Sequence, residues 1–156
     1  MLFKTKFLLL TIGIIFMLKK DSTPRGIRNN NPLNIRESKD GGDLWSGEHE
    51  LDLDADFEEF TSAEYGIRAA VKLFETYRTK YGLDTIAGII SRWAPPNENK
   101  TSRYVQSVAQ KTGIHADIFL TQEDYPALLK AMIYHENGQQ PYSDDVINEG
   151  IRLALS

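Results

Sequence analysis

Tyr125, Leu128, Leu129, Met132 and Ile133 recur at intervals of three and four, and the next position on that helical stripe is Glu136. A carboxyl group stands where a leucine is expected. A carboxyl group shielded from water at the end of an apolar stripe can act as a general acid, handing its proton to a departing oxygen. The spacing leaves a second outcome open: the helix ends early and Glu136 turns to solvent or to an arginine.

Glycosidic chemistry often uses a second carboxylate, and Glu48 and Glu50 are the candidates, beside a stretch of alternating apolar and acidic residues. Their alternative is a solvated face. Asp52, Asp54 and Asp56 imitate the start of a calcium loop, but Phe57 occupies the glycine position and Ala63 the twelfth. His49, His115 and His135 follow no zinc spacing, so no metal or other cofactor is expected. The absence of cysteine excludes disulfides, thiolate metal sites and cysteine nucleophiles. Aromatic rings and amides suit a sugar polymer, since rings stack on pyranose faces and amides bind hydroxyls and acetamides. Trp93, Tyr104 and Tyr142, with the turn asparagines Asn30, Asn31 and Asn34, are the candidates; in each case a purely structural role competes.

The elements that must hold these residues are mostly helical. The 156 residues, 41% apolar and 26% charged, suffice for one folded domain. Residues 1–20 carry four lysines and no acid, leaving 14 basic against 22 acidic residues, a net of −8. Duplex DNA is therefore a poor partner, and no nucleic acid is expected. Residues 7–18 are uncharged and apolar between lysine pairs, which predicts an uncleaved signal-anchor or transmembrane helix over residues 1–22. The globular part then spans residues 23–156. A loop opens it, and the alternation of Leu51, Leu53, Ala55 and Phe57 with aspartates predicts a strand in a small hairpin or sheet. Thr61 with Glu64 forms a capping-box pattern for a helix stopped by Gly82; Asp84 caps a second that ends at Pro95. A third covers residues 101–113, a fourth 121–138, and a fifth follows Ser143. The fold class is mainly α (α+β).

The stretch Arg25-Gly26-Ile27-Arg28-Asn29-Asn30-Asn31-Pro32-Leu33-Asn34-Ile35-Arg36 resembles the opening signature of a phage and prophage family of lysozyme-like virion or lysis proteins. Trp45-Ser46-Gly47, Gly66-Ile67-Arg68-Ala69 and Arg92-Trp93-Ala94-Pro95-Pro96 are similar to that family in order and spacing, so the resemblance covers residues 25–154. Leu33 departs from it, since the family usually carries glycine there. The stretch from Pro96 to Val105, with Glu98, Thr101 and Tyr104, resembles the late motif of soluble lytic transglycosylases.

The resemblance implies a lysozyme-like helical domain acting on the glycan strands of peptidoglycan, with a glutamate as acid and Glu98 among the substrate-binding residues. In transglycosylases the acid ends an apolar helix near the start of the domain. Here the matching helix, residues 129–138, lies at the far end, which suggests a circular permutation with Glu136 as the acid. Glu37-Ser38 is the literal glutamate-serine pair but has no apolar helix to bury it. The expected activity is cleavage of the β-1,4 bond between N-acetylmuramic acid and N-acetylglucosamine, by hydrolysis or by formation of a 1,6-anhydro product. Location is expected at the inner membrane or in the periplasm, or with the virion. The competing expectation is a noncatalytic murein-binding or virion structural module with the same fold.

Overall fold

The computed structural model describes residues 22–38, 45–94 and 98–156. The expected anchor over residues 1–22 lies almost wholly outside them. Among the described residues no helix is long and apolar enough to cross a membrane.

The helices form where apolar periodicity and stop signals agree. Helix α1 is a single turn, Arg25–Arg28, inside the stretch expected to be loop. Helix α2, Ala63–Tyr81, buries Ile67, Ala70, Val71 and Phe74 on one stripe and ends at Gly82, whose left-handed φ of 65° a side chain would resist. Its N-cap is Ser62, and the Thr61–Glu64 capping box does not form: the Thr61 hydroxyl donates to the Gly47 carbonyl at 3.0 Å instead. Helix α3, Ile86–Trp93, is capped by Thr85 rather than Asp84, with the Thr85 hydroxyl accepting from the Gly88 N–H at 3.0 Å. Helix α4, Glu98–Thr112, starts three residues earlier than expected. A 3-10 turn, Gln122–Asp124, leads into α5, Tyr125–Asn137, which carries Pro126 in its first turn and stops at Gly138 with φ 70°. Helix α6, Asp144–Leu155, begins at the Ser143 cap.

The expected strand over residues 51–57 is absent. Leu51 and Leu53 are 67% and 79% exposed, and only the isolated antiparallel bridges Arg36–Phe57, Glu48–Phe60 and Thr85–Phe119 occur among the described residues. The cause is local. Asp54 accepts from the N–H groups of Asp56 (3.1 Å) and Phe57 (3.2 Å), while Glu59 accepts from those of Leu53 and Asp54. Carboxylates take the donors that a strand would offer to a neighbour.

Packing follows from the buried stripes. α2 is the spine, with α6 laid along it; α4 lies between α3 and α5, α5 also meets α6, and α1 touches α5. Phe74 of α2 meets Trp93 and Tyr125 edge-on at 5.6 and 5.9 Å, joining α2, α3 and α5. Phe74, Ile67, Leu128, Leu129, Met132 and Ile133 are fully buried, each worth roughly 1.5–3 kcal/mol of transfer free energy. That core fixes α5, and so fixes where its last turn points.

Candidate functional site

On α5 the stripe Leu128, Leu129, Met132 and Ile133 is buried as expected, and Glu136 continues it half-buried in the last turn before Gly138. The helix does not end short of it. Two side chains from distant parts of the chain converge there. The Tyr104 hydroxyl of α4 donates to Glu136 Oε1 at 2.8 Å, and the Asn34 amide Nδ2 donates to Oε2 at 3.1 Å. Each carboxyl oxygen thus has one fixed donor and keeps a second lone pair toward its surroundings.

Tyr104 is 4% exposed. Burial, and then the adjacent Glu136 carboxylate, hold its phenol well above the ordinary tyrosine range, so it remains a donor. Its ring stacks on His135 at 3.7 Å with an interplanar angle of 11°. Burial is the main cause that lowers the His135 imidazole below its ordinary value; Lys111 lowers it further and Glu136 opposes.

The asparagine loop that supplies Asn34 is held by its own amides. Asn31 is fully buried; its Nδ2 donates to the carbonyls of Ile35 and Glu58, both at 2.9 Å, and its Oδ1 accepts from the Ile35 N–H at 2.9 Å. Asn30 Nδ2 donates to the Phe60 carbonyl at 3.0 Å. These two are staples of the loop, whereas Asn34 reaches the carboxylate. Asn30 and Asn34 sit at φ 51° and 53°, in the left-handed region that asparagine tolerates better than most residues. Asn137, next to Glu136, donates to the carbonyls of Pro32 (2.7 Å) and Ile133 (3.0 Å), tying the loop to the end of α5.

Among the described residues, none of the remaining candidates is hydrogen-bonded to Glu136, Tyr104 or Asn34. Trp93 is half-buried and meets Phe74 and Tyr77 edge-on. Tyr142 is half-buried with its hydroxyl unpartnered among the described residues, and burial followed by Glu64 pushes its phenol up to about 12. Glu50 is exposed, and Glu48 accepts from the Trp45 N–H at 3.0 Å. Among the described residues neither is hydrogen-bonded to Glu136 or to its two donors. Glu98 begins α4, and the position of its side chain lies outside the description. Surface hollows of about 550 to 760 Å³ occur beside Tyr77, Tyr81 and Arg92, beside Arg78 and Asp84, between α4 and α5 at Lys111 and Tyr134, and beside Arg25 and Asp54; none is lined by Glu136. No three His, Asp or Glu side chains among the described residues are grouped to hold a metal ion.

Sequence reasoning missed Glu58, which sits among carboxylates that it had weighed separately. Glu58 is 1% exposed, and its Oε2 has no partner among the described residues. Burial, then the negative charges of Glu37, Glu48 and Asp52, push it up to about 7; the Trp45 side chain opposes. Glu37 is raised as well, by burial first and then by Asp52 and Glu48. The signal available was the position of Glu58 opposite Ile35, next to the Arg36–Phe57 bridge, but that pairing spans more than twenty residues.

No family model matches the chain. It is 53% identical over 136 residues to "Protein P5" of Pseudoalteromonas phage PM2, an alignment that covers 87% of this chain and 85% of that protein. At that identity and coverage, the chain belongs to the family of this phage protein.

Proposed function

We propose that the chain is a murein-cleaving enzyme with a lysozyme-like helical fold, in which Glu136 acts on the β-1,4 bond between N-acetylmuramic acid and N-acetylglucosamine. The observation that carries this is the half-buried Glu136 carboxyl, oriented by Tyr104 at 2.8 Å and Asn34 at 3.1 Å. The protonated carboxyl gives its proton to the glycosidic oxygen as the C1–O bond breaks, and the sugar left behind carries oxocarbenium character. The carboxylate then takes a proton from the attacking group. Water as attacker yields a reducing sugar, and the muramyl 6-hydroxyl yields the 1,6-anhydro sugar; the two products differ by one water. The Tyr104-Val105 pair, which resembles the late motif of soluble lytic transglycosylases, favours the internal attack, where one carboxyl group suffices.

Purified full-length chain in detergent should solubilise isolated sacculi, and Glu136→Gln should abolish the release while the helical circular-dichroism signal persists. Undiminished clearing by that variant overturns the assignment. Mass spectrometry of the released muropeptides identifies the attacker. The apolar residues 7–18 further support tethering to a membrane through residues 1–22. The full chain should then sediment with membranes and resist extraction by high salt; a salt-soluble chain contradicts the tether.

A noncatalytic murein-binding or virion structural module is the second possibility. It is favoured by the phage origin of the relative. It predicts cosedimentation with sacculi and no soluble product.

A further inference from the structure

Gly26 lies buried in α1, and a Cβ on it would meet three oxygens: Asn34 Oδ1 at 2.5 Å, the Asn31 carbonyl at 2.8 Å and Asn137 Oδ1 at 2.9 Å. Two of these belong to the amides that flank Glu136. Asn137 Oδ1 is moreover buried with no hydrogen-bond partner among the described residues, which is unusual for an amide whose NH2 group makes two bonds. Both amide oxygens converge on the bare α-carbon of Gly26. An α-carbon presents weakly polarised hydrogens and so accommodates oxygen at a distance that a methyl group forbids.

That convergence sets the polarity of the amides. With Oδ1 turned inward on Gly26, the Nδ2 group of Asn34 is turned toward Glu136 Oε2, and that of Asn137 toward the carbonyls of Pro32 and Ile133. The reverse orientation of Asn34 would set an oxygen against the carboxylate. We propose that Gly26 is a positioning residue for Glu136: its missing side chain makes the space in which the Asn34 amide, packed beside that of Asn137, is aimed at the carboxyl group. The inference rests on the proposed reaction for its kinetic consequence, but not for its geometry. It also gives a physical reason for glycine at this point of the sequence, since α1 itself demands no unusual φ there.

The test uses the full chain. Gly26→Ala should lower turnover on sacculi at least tenfold with KM within twofold, and should move the Asn34 side-chain NH2 resonances. Asn34→Gly, which keeps the left-handed φ accessible, should lose turnover to a similar degree. The double variant should then fall no more than twofold below Asn34→Gly alone, because Gly26 acts through Asn34. Losses that multiply, or unchanged turnover with unmoved Asn34 resonances in Gly26→Ala, overturn the proposal. If the unsubstituted chain does not cleave sacculi, the proposed reaction fails and the amide resonances alone decide: unmoved, they overturn the role of Gly26. Should Gly26→Ala not fold, the unsubstituted chain must show nuclear Overhauser contacts from the Gly26 α-protons to the Asn34 and Asn137 side chains. Its Asn34 NH2 signals must also shift on Glu136→Gln, and failure of either overturns the proposal.

Discussion

At Glu136 the decisive feature is which donor can be lost without changing the fold. The Tyr104 hydroxyl makes the shorter of its two hydrogen bonds, and burial holds its phenol well above the ordinary tyrosine range, so it stays a donor at neutral pH. Hydrogen bonds to charged groups contribute about 1.5–3 kcal/mol. If the proposed chemistry proceeds at Glu136, Tyr104→Phe should therefore reduce turnover on sacculi by roughly 10- to 100-fold. The phenylalanine ring keeps the stack on His135, so the melting temperature should drop by only a few degrees, on the order of 1 kcal/mol. Sacculus turbidity read beside a thermal melt separates the two effects; a large melting shift with unchanged specific activity would mean that Tyr104 serves packing alone. Glu136 itself was legible because a carboxylate interrupts an apolar stripe. Its partners were named among the candidates but not joined to it, because Asn34 is 102 residues away in sequence and Tyr104 is 32. No local pattern encodes that meeting.

The segment between residues 45 and 61 carries the other buried carboxyl group, and its pH dependence belongs to that element rather than to the site. Glu58 is raised from 4.5 to about 7, so the folded chain holds a proton that the unfolded chain has already released between those values. Its contribution is complete below pH 4.5 and is lost as pH rises through about 7, a decline on the order of 3 kcal/mol. Glu37 is shifted in the same direction and adds to the slope. Glu58→Gln, neutral at every pH, should shrink the difference in denaturant stability between pH 5 and pH 8 without abolishing it. An unchanged difference would place the titrating group elsewhere. This segment is also where the sequence misled most. Period-two alternation normally reports a half-buried strand, but here Asp54 and Glu59 bind their own backbone, so the alternating leucines stay in water. Helix stops were far more readable, since Gly82 and Gly138 sit at left-handed φ values that few other residues take. Caps were readable only to within a residue: Thr85 and Asp84 are both good cap residues, and it is Thr85 that caps α3.

For the whole molecule, the asparagine loop and α6 both use α2 as their datum, on adjacent residues. Gly66 of α2 abuts the Asn30 carbonyl oxygen so closely that a Cβ would overlap it, and Ile67 packs on Gly150 of α6. A Cβ on Gly150 would lie 2.5 Å from Ile67 Cγ2, 2.6 Å from Ile67 Cβ and 2.9 Å from the Glu64 carbonyl oxygen. Alanine in a helix interior ordinarily gains about 1 kcal/mol over glycine, whereas overpacking costs typically 1–3 kcal/mol. The neighbours here are a branch-point carbon and a backbone carbonyl, neither of which can swing aside, so the steric cost should prevail. Gly150→Ala is expected to destabilise by roughly 1–2 kcal/mol net, a fall in melting temperature of about 2–8 °C. Gly66→Ala should cost more, because its clash is with the backbone of the loop that presents Asn34. A Gly150→Ala chain melting at or above the unsubstituted protein would mean that α6 slides freely on α2.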